Sequence, residues 1–180
     1  MSLEVSGLRA LAHPVRLRIL SLLTGASMSA ADLARELGLT QANASYHLRQ
    51  LAAAGVVVDA GERKIRGGSA KLYRHPVGGP PTKLTGDDGS HQLYIQAFAT
   101  EMVRRYALHV SGLPGQATYT DAELWVHPDV WRDLVAATGE ASKRLHDAAQ
   151  PPRTDGTVRV SMTAALFRMQ PDDPQPGAES

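Results

Sequence analysis

The chain has 180 residues, 43% of them hydrophobic, with no cysteine and with 19 Lys and Arg against 18 Asp and Glu. That allows one domain or two small ones with a packed core, and it excludes disulfides, thiolate metal sites and a cysteine nucleophile. No run approaches the roughly 18 apolar residues of a spanning helix, and the N-terminus lacks a signal peptide's basic-then-apolar layout, so a cytoplasmic protein without a membrane partner is expected.

The small net charge of +1 hides a division along the chain. Residues 1–76 hold 10 Lys and Arg against 5 Asp and Glu, a net +5, and residues 77–180 hold 9 against 13, a net −4. A basic first half suits a polyanion, because neutralising phosphates releases counterions. The acidic second half does not suit the same partner.

A first helix is expected over residues 3–11, entering the core through Leu8 and Leu11. Pro14 then suits a helix start, since a first-turn residue needs no N–H donor. Leu17, Leu20 and Leu23 form the buried face of that second helix, and His13 reads as a local cap or a phosphate-side residue. Ser29 and Asp32 have the spacing of a capping box and open a short third helix, with Leu33, Ala34 and Leu37 on one face. Gly38 follows as a left-handed stop.

Thr40 caps a fourth helix, whose Ala44, Leu48, Leu51 and Gly55 fall in one narrow stripe. The opposite face carries Ala42, Asn43, Tyr46, Arg49 and Gln50, flanked by Gln41 and Ser45. Two helices joined by a tight turn, the second with hydrogen-bonding side chains near its start, are how a helix-turn-helix reads the major groove. Asn and Gln can pair there with adenine, Arg with guanine and Ser with either. An ordinary solvated helix would also carry polar residues.

Two strand-forming runs follow, Val56 to Val58 and Ala70 to Arg74, around a Gly-rich basic stretch, which reads as a hairpin with a loose tip. Beside a helix-turn-helix such a hairpin is a wing, with Arg63, Lys64, Arg66 and Lys71 along DNA phosphates. Tyr73 is expected to pack beneath it.

Over residues 8–75 the chain resembles the winged helix-turn-helix of ArsR/SmtB-type bacterial regulators. The likeness rests on Leu8, Ala10, Leu11, Ala12, His13, Pro14, Arg16, Leu17, Ile19 and Leu20, and on Ser45, His47 and Leu48 leading to Leu51 and Gly55. It implies a homodimer that binds an operator in double-stranded DNA, as repressor or activator, and responds to an effector. DNA-contacting residues are then expected among Thr40, Gln41, Asn43, Ser45, Tyr46, His47, Arg49, Arg63, Lys64, Arg66 and Lys71.

Residues 77–89 have a linker composition rich in Pro and Gly. A long helix is expected from Ser90 to Ser111, with an apolar face too wide for one-sided packing. The family resemblance makes Ile95, Phe98, Met102, Val103 and Tyr106 a dimer seam, holding two recognition helices about 34 Å apart. An intramolecular core is the competing reading.

Residues 117–126 alternate as a strand. A helix opened by His127 and Pro128 buries Val130, Leu134, Ala137, Ala141, Leu145 and Ala148, and residues 157–167 alternate again. From Gln170 the chain reads as a disordered tail. The expected fold is mostly α with small β elements: a winged helix-turn-helix over 1–76, then a dimerisation or effector domain over 90–169 made of the long helix and a strand-helix-strand module. Tyr94, Phe98, Met102, Tyr119, Trp125 and Trp131 could line a pocket for a small apolar effector, or could be ordinary core.

No cofactor and no metal is expected. The family's cysteine positions are filled by residues 28–32, without a thiolate, and His91 and His109 lie five helical turns apart. A site between subunits from Asp87, Asp88 and His91 is the residual metal-sensing alternative, and a protein-binding winged helix is another. With no phosphate loop, nucleophile elbow or HExxH, and with His127/Asp129 and His146/Asp147 reading as helix-end and helix-surface pairs, no enzyme is expected.

Overall fold

A computed structural model describes residues 3–76, 88–110 and 117–169. The element order is α1 (Leu3–Leu11), α2 (Pro14–Gly25), β1 (Met28–Ser29), α3 (Ala30–Leu37), α4 (Gln41–Ala53), β2 (Val58–Ile65), β3 (Gly68–Arg74), α5 (Asp88–Tyr106) and α6 (Pro128–Asp147). The fold is α+β, with an N-terminal helix-turn-helix and a long helix after it.

The first four helices form as their local chemistry dictates. The His13 Nδ1 accepts from the Val15 N–H at 3.1 Å at the head of α2, where Pro14 needs no bond. Ile19 and Leu23 are the buried residues of α2, while Leu17 and Leu20 are only partly covered, so the core-facing stripe is rotated from the Leu-only reading. The centre is made by Leu11, Ile19, Leu23, Leu33, Leu48 and Leu51, nearly all fully buried. Each such side chain contributes about 1.5–3 kcal/mol by leaving water.

The sheet has the order β1-β3-β2, all antiparallel. Met28 pairs with Tyr73 and Ser29 with Leu72, a two-residue strand too short to give a sequence signal. The wing is a tighter hairpin than the loose tip expected. Ile65 pairs directly with Gly68, leaving Arg66 and Gly67 as the turn, and Gly67 takes φ +90°. The register shifts between Asp59 and Glu62, where Gly61 has φ +90° and its N–H donates to Asp59 Oδ1 at 2.8 Å. Gly55 is not on the buried stripe of α4. It lies beyond the helix end at φ +70°, exposed, and turns the chain into the wing.

Helix α5 starts at Asp88 and ends at Tyr106, five residues short of the expected end. It packs on α1 and α2 through Ser90, Ala97 and Glu101, with Tyr94 against the core, so its own domain takes its smaller and more polar side. Glu101, buried at 2% exposure, is held there by Arg104 at 2.8 Å and Arg105 at 3.7 Å.

The expected strand-helix-strand module is not formed. Only its helix is present, as α6, and residues 117–126 and 157–167 belong to no sheet. Nor does α6 bury Val130, Leu134, Ala137, Ala141, Leu145 or Ala148, for none of its residues is buried. Alternation and an apolar stripe specify which side of a segment avoids water, but a strand needs a neighbour to bond and a stripe needs a surface to meet. The expected tail, and all of the expected linker but its last two residues, lie outside the described residues. Those last two, Asp88 and Gly89, open α5. No helix among the described residues is long and apolar enough to cross a membrane.

Candidate nucleic-acid interface

The turn between α3 and α4 is fixed at both ends. Ser29 Oγ accepts from the Asp32 N–H at 3.2 Å and the Ser29 N–H donates to Asp32 Oδ2 at 3.0 Å, a complete capping box. Gly38 closes α3 at φ +66°, a conformation that strains any residue with a Cβ, and the Leu39 N–H returns to the Ala34 carbonyl at 2.9 Å. Arg18 donates to the Leu37 carbonyl at 3.3 Å, placing a cation at the negative end of α3. Thr40 Oγ1 then accepts from the Asn43 N–H at 3.2 Å to start α4.

With Ala44, Leu48 and Leu51 sealed in the core, α4 presents Gln41, Asn43, Tyr46, Arg49 and Gln50 to solvent, and Ser45 is half-buried at the edge. Tyr46 is 50% exposed. His47 is not on this face. It is buried at 5% exposure, its ring 4.7 Å from that of His13 and edge-on to Tyr46. Burial, then His13 and Arg16, lower its pKa, and burial and Arg16 lower that of His13, so both rings are biased toward the neutral form. A neutral imidazole inside the domain supports α4 from behind and offers nothing to a groove.

The four wing cations differ in what they already hold. Arg63 donates to Asp32 Oδ2 at 2.7 Å, joining β2 to the capping carboxylate of α3, which also pairs with Arg35. Lys71 pairs with Asp59 at 2.8 Å and lies 5.6 Å from the centre of the Tyr73 ring. Lys64 and Arg66, at the outer end of the hairpin, make no ion pair among the described residues. The wing therefore has a braced base and a basic tip. The Arg63–Asp32 tie could not be read from sequence, since its partners are 31 residues apart.

Residues 11–59 match the family model described as a helix-turn-helix domain. This segment is a helix-turn-helix domain. It is the domain type of DNA-binding transcription regulators, and here it spans α2, β1, α3, the turn and α4, with the wing completing it on the C-terminal side. No curated protein matches the chain.

The residues expected at a dimer seam and in an effector pocket lie outside the helix-turn-helix domain. Ile95, Met102, Val103 and Tyr106 are exposed on the side of α5 turned away from α1 and α2. Phe98 is half-buried with its ring 6.1 Å from Tyr94. Tyr119 meets Tyr106 edge-on at 6.1 Å, Trp131 is half-buried, and Trp125 stands 84% exposed. The structure thus joins Tyr94 to Phe98 and Tyr119 to Tyr106 without gathering all six residues around one space. Among the described residues, no three His, Cys, Asp or Glu side chains are gathered as metal ligands would be.

Proposed function

We propose that the chain is a sequence-specific transcription regulator of the ArsR-like type, a repressor that binds its operator as a homodimer and does not sense metal through cysteine. The carrying observation is the split in α4 between a sealed apolar side and an exposed side bearing Gln41, Asn43, Tyr46 and Arg49, set beside a wing whose tip cations make no ion pair among the described residues. In this reading Gln41, Asn43, Ser45, Tyr46 and Arg49 meet base edges, with Thr40 at the backbone by the helix start. Lys64 and Arg66 neutralise phosphates beside the hairpin tip. Arg63 and Lys71 serve mainly to orient the wing through Asp32 and Asp59. A homodimer is supported by the apolar stripe Ile95, Met102, Val103 and Tyr106, which the chain's own helices leave uncovered.

The test is a binding titration on duplexes recovered from fragmented genomic DNA by the purified protein. Arg49→Ala should cost about 1–3 kcal/mol on the selected site and little on random duplex, lowering discrimination. Lys64→Ala should weaken both duplexes alike and reduce the salt slope by about 1. If neither substitution changes binding, the assignment fails.

A further inference from the structure

The C-terminal part of the chain is a helix and two extended stretches whose apolar side chains face water. Helix α6 runs for 20 residues without burying one, although Val130, Leu134, Ala137, Ala141 and Leu145 fall on a single stripe. On the stretch before it, Leu124 and Trp125 are exposed. On the stretch after it, so are Val158, Val160 and Phe167, and neither stretch bonds into a sheet among the described residues.

Among the described residues nothing buries the apolar side of this arm, although both its ends touch the chain's own helices. At the near end Tyr119 lies against Tyr106. At the far end the Gln150 carbonyl seats so close over Gly25 that a Cβ there would stand 2.5 Å from it, and Arg153 forks onto Glu36 of α3 at 2.8 and 3.0 Å. With both moorings made, the apolar side of α6 still faces solvent.

We propose that a second copy of the chain covers this arm: residues 117–126 and 157–167 of the two copies pair as strands across the dimer, and α6 closes over the open stripe of α5. The occupant is another copy because the arm and the α5 stripe are both uncovered on the same molecule, so one two-fold contact removes both from water. Alternating stretches that join no sheet among the described residues are suited to pairing with a strand from another chain. The flank of α6 pairs its own charges, Arg132 with Asp129 and Lys143 with Asp147, which lets two copies approach without unpaired charge at those positions. The inference takes the homodimer from the reading above and adds the arm to it.

The chain has two tryptophans, so Trp131→Phe leaves Trp125 as the sole reporter. Light scattering on this variant should give twice the 19.3 kDa chain mass, and acrylamide should quench Trp125 several-fold less than free tryptophan, with the protection lost on dilution to monomer. In the full chain, Val158→Lys with Val160→Lys should give a monomer of unchanged helix content by circular dichroism. If that variant unfolds, Trp125→Lys serves in its place with the same expectation. A dimer in which Trp125 is quenched like the free amino acid, or in which the folded arm variants stay dimeric, overturns the arm and leaves the homodimer standing. A monomeric wild-type chain overturns both. A wild-type dimer with protected Trp125 that shows no affinity for duplexes upholds the arm and sinks the DNA-binding reading instead.

Discussion

His47 is the residue whose position most constrains the chemistry of α4. It lies one place from Tyr46 and two from Arg49, yet its ring is inside the domain against His13, and its Nδ1 is buried with no hydrogen-bond partner among the described residues. Because burial lowers both imidazoles below the ordinary 6.5, the unfolded chain takes up protons before the folded one as the pH falls. Stability is therefore full above about pH 6.5 and declines below it, until the folded rings protonate as well. The melting temperature should be flat on the neutral side and drop on the acid side. His13→Asn, which keeps an acceptor at the head of α2, should make that drop shallower. Asp32 works in the opposite range. Its burial favours the neutral acid, but the Ser29 hydroxyl and N–H together with Arg63 outweigh burial and hold its pKa below the usual carboxylate value. Asp32→Ala should cost about 1–2 kcal/mol in a denaturant melt and free Arg63, so that exchange of the β2 amides quickens.

Among the elements, those whose ends are written in short-range chemistry were readable from the amino acids. Pro14, Ser29 with Asp32, and Thr40 fix the starts of α2, α3 and α4, and Gly38 fixes the end of α3, because each cap joins groups a few positions apart. The hairpin was legible and β3 nearly in place, but β2 runs Val58–Ile65 and shares only Val58 with the expected run. The tight turn was not legible, because Gly-rich basic residues suit a loose tip and a bulged ladder equally well. The polar face of α4 followed from its spacing, but the burial of His47 did not, since a histidine beside exposed neighbours carries no mark of which way it points. The strands around α6 were overcalled for a physical reason: alternation is a property of one segment and a ladder is a property of two. At this scale the contact of Gln150 with Gly25 can be tested directly. Gly25→Ala places a methyl against a backbone oxygen, so residues 150–153 should lift from α2, and the amides of Thr154 and Thr157, now bonded to the Pro151 and Thr154 carbonyls, should exchange faster.

For the molecule as a whole, the charge division acquires a spatial meaning. The basic first half holds the helix-turn-helix and wing, and the acidic second half holds the arm. Long-range attraction to a duplex would therefore orient the molecule with α4 and the wing tip leading, an effect that fades as salt shortens its reach. The fork between Arg153 and Glu36 adds something that neither half has alone. Glu36 sits on α3, the helix that positions α4, so the same carboxylate that belongs to the helix-turn-helix is also the post to which the C-terminal arm is tied. Thermodynamic reciprocity applies to such a knot: whatever loosens it from the arm's side and alters the hold on a duplex must be felt equally in the other direction, with a bound duplex tightening or slackening the arm.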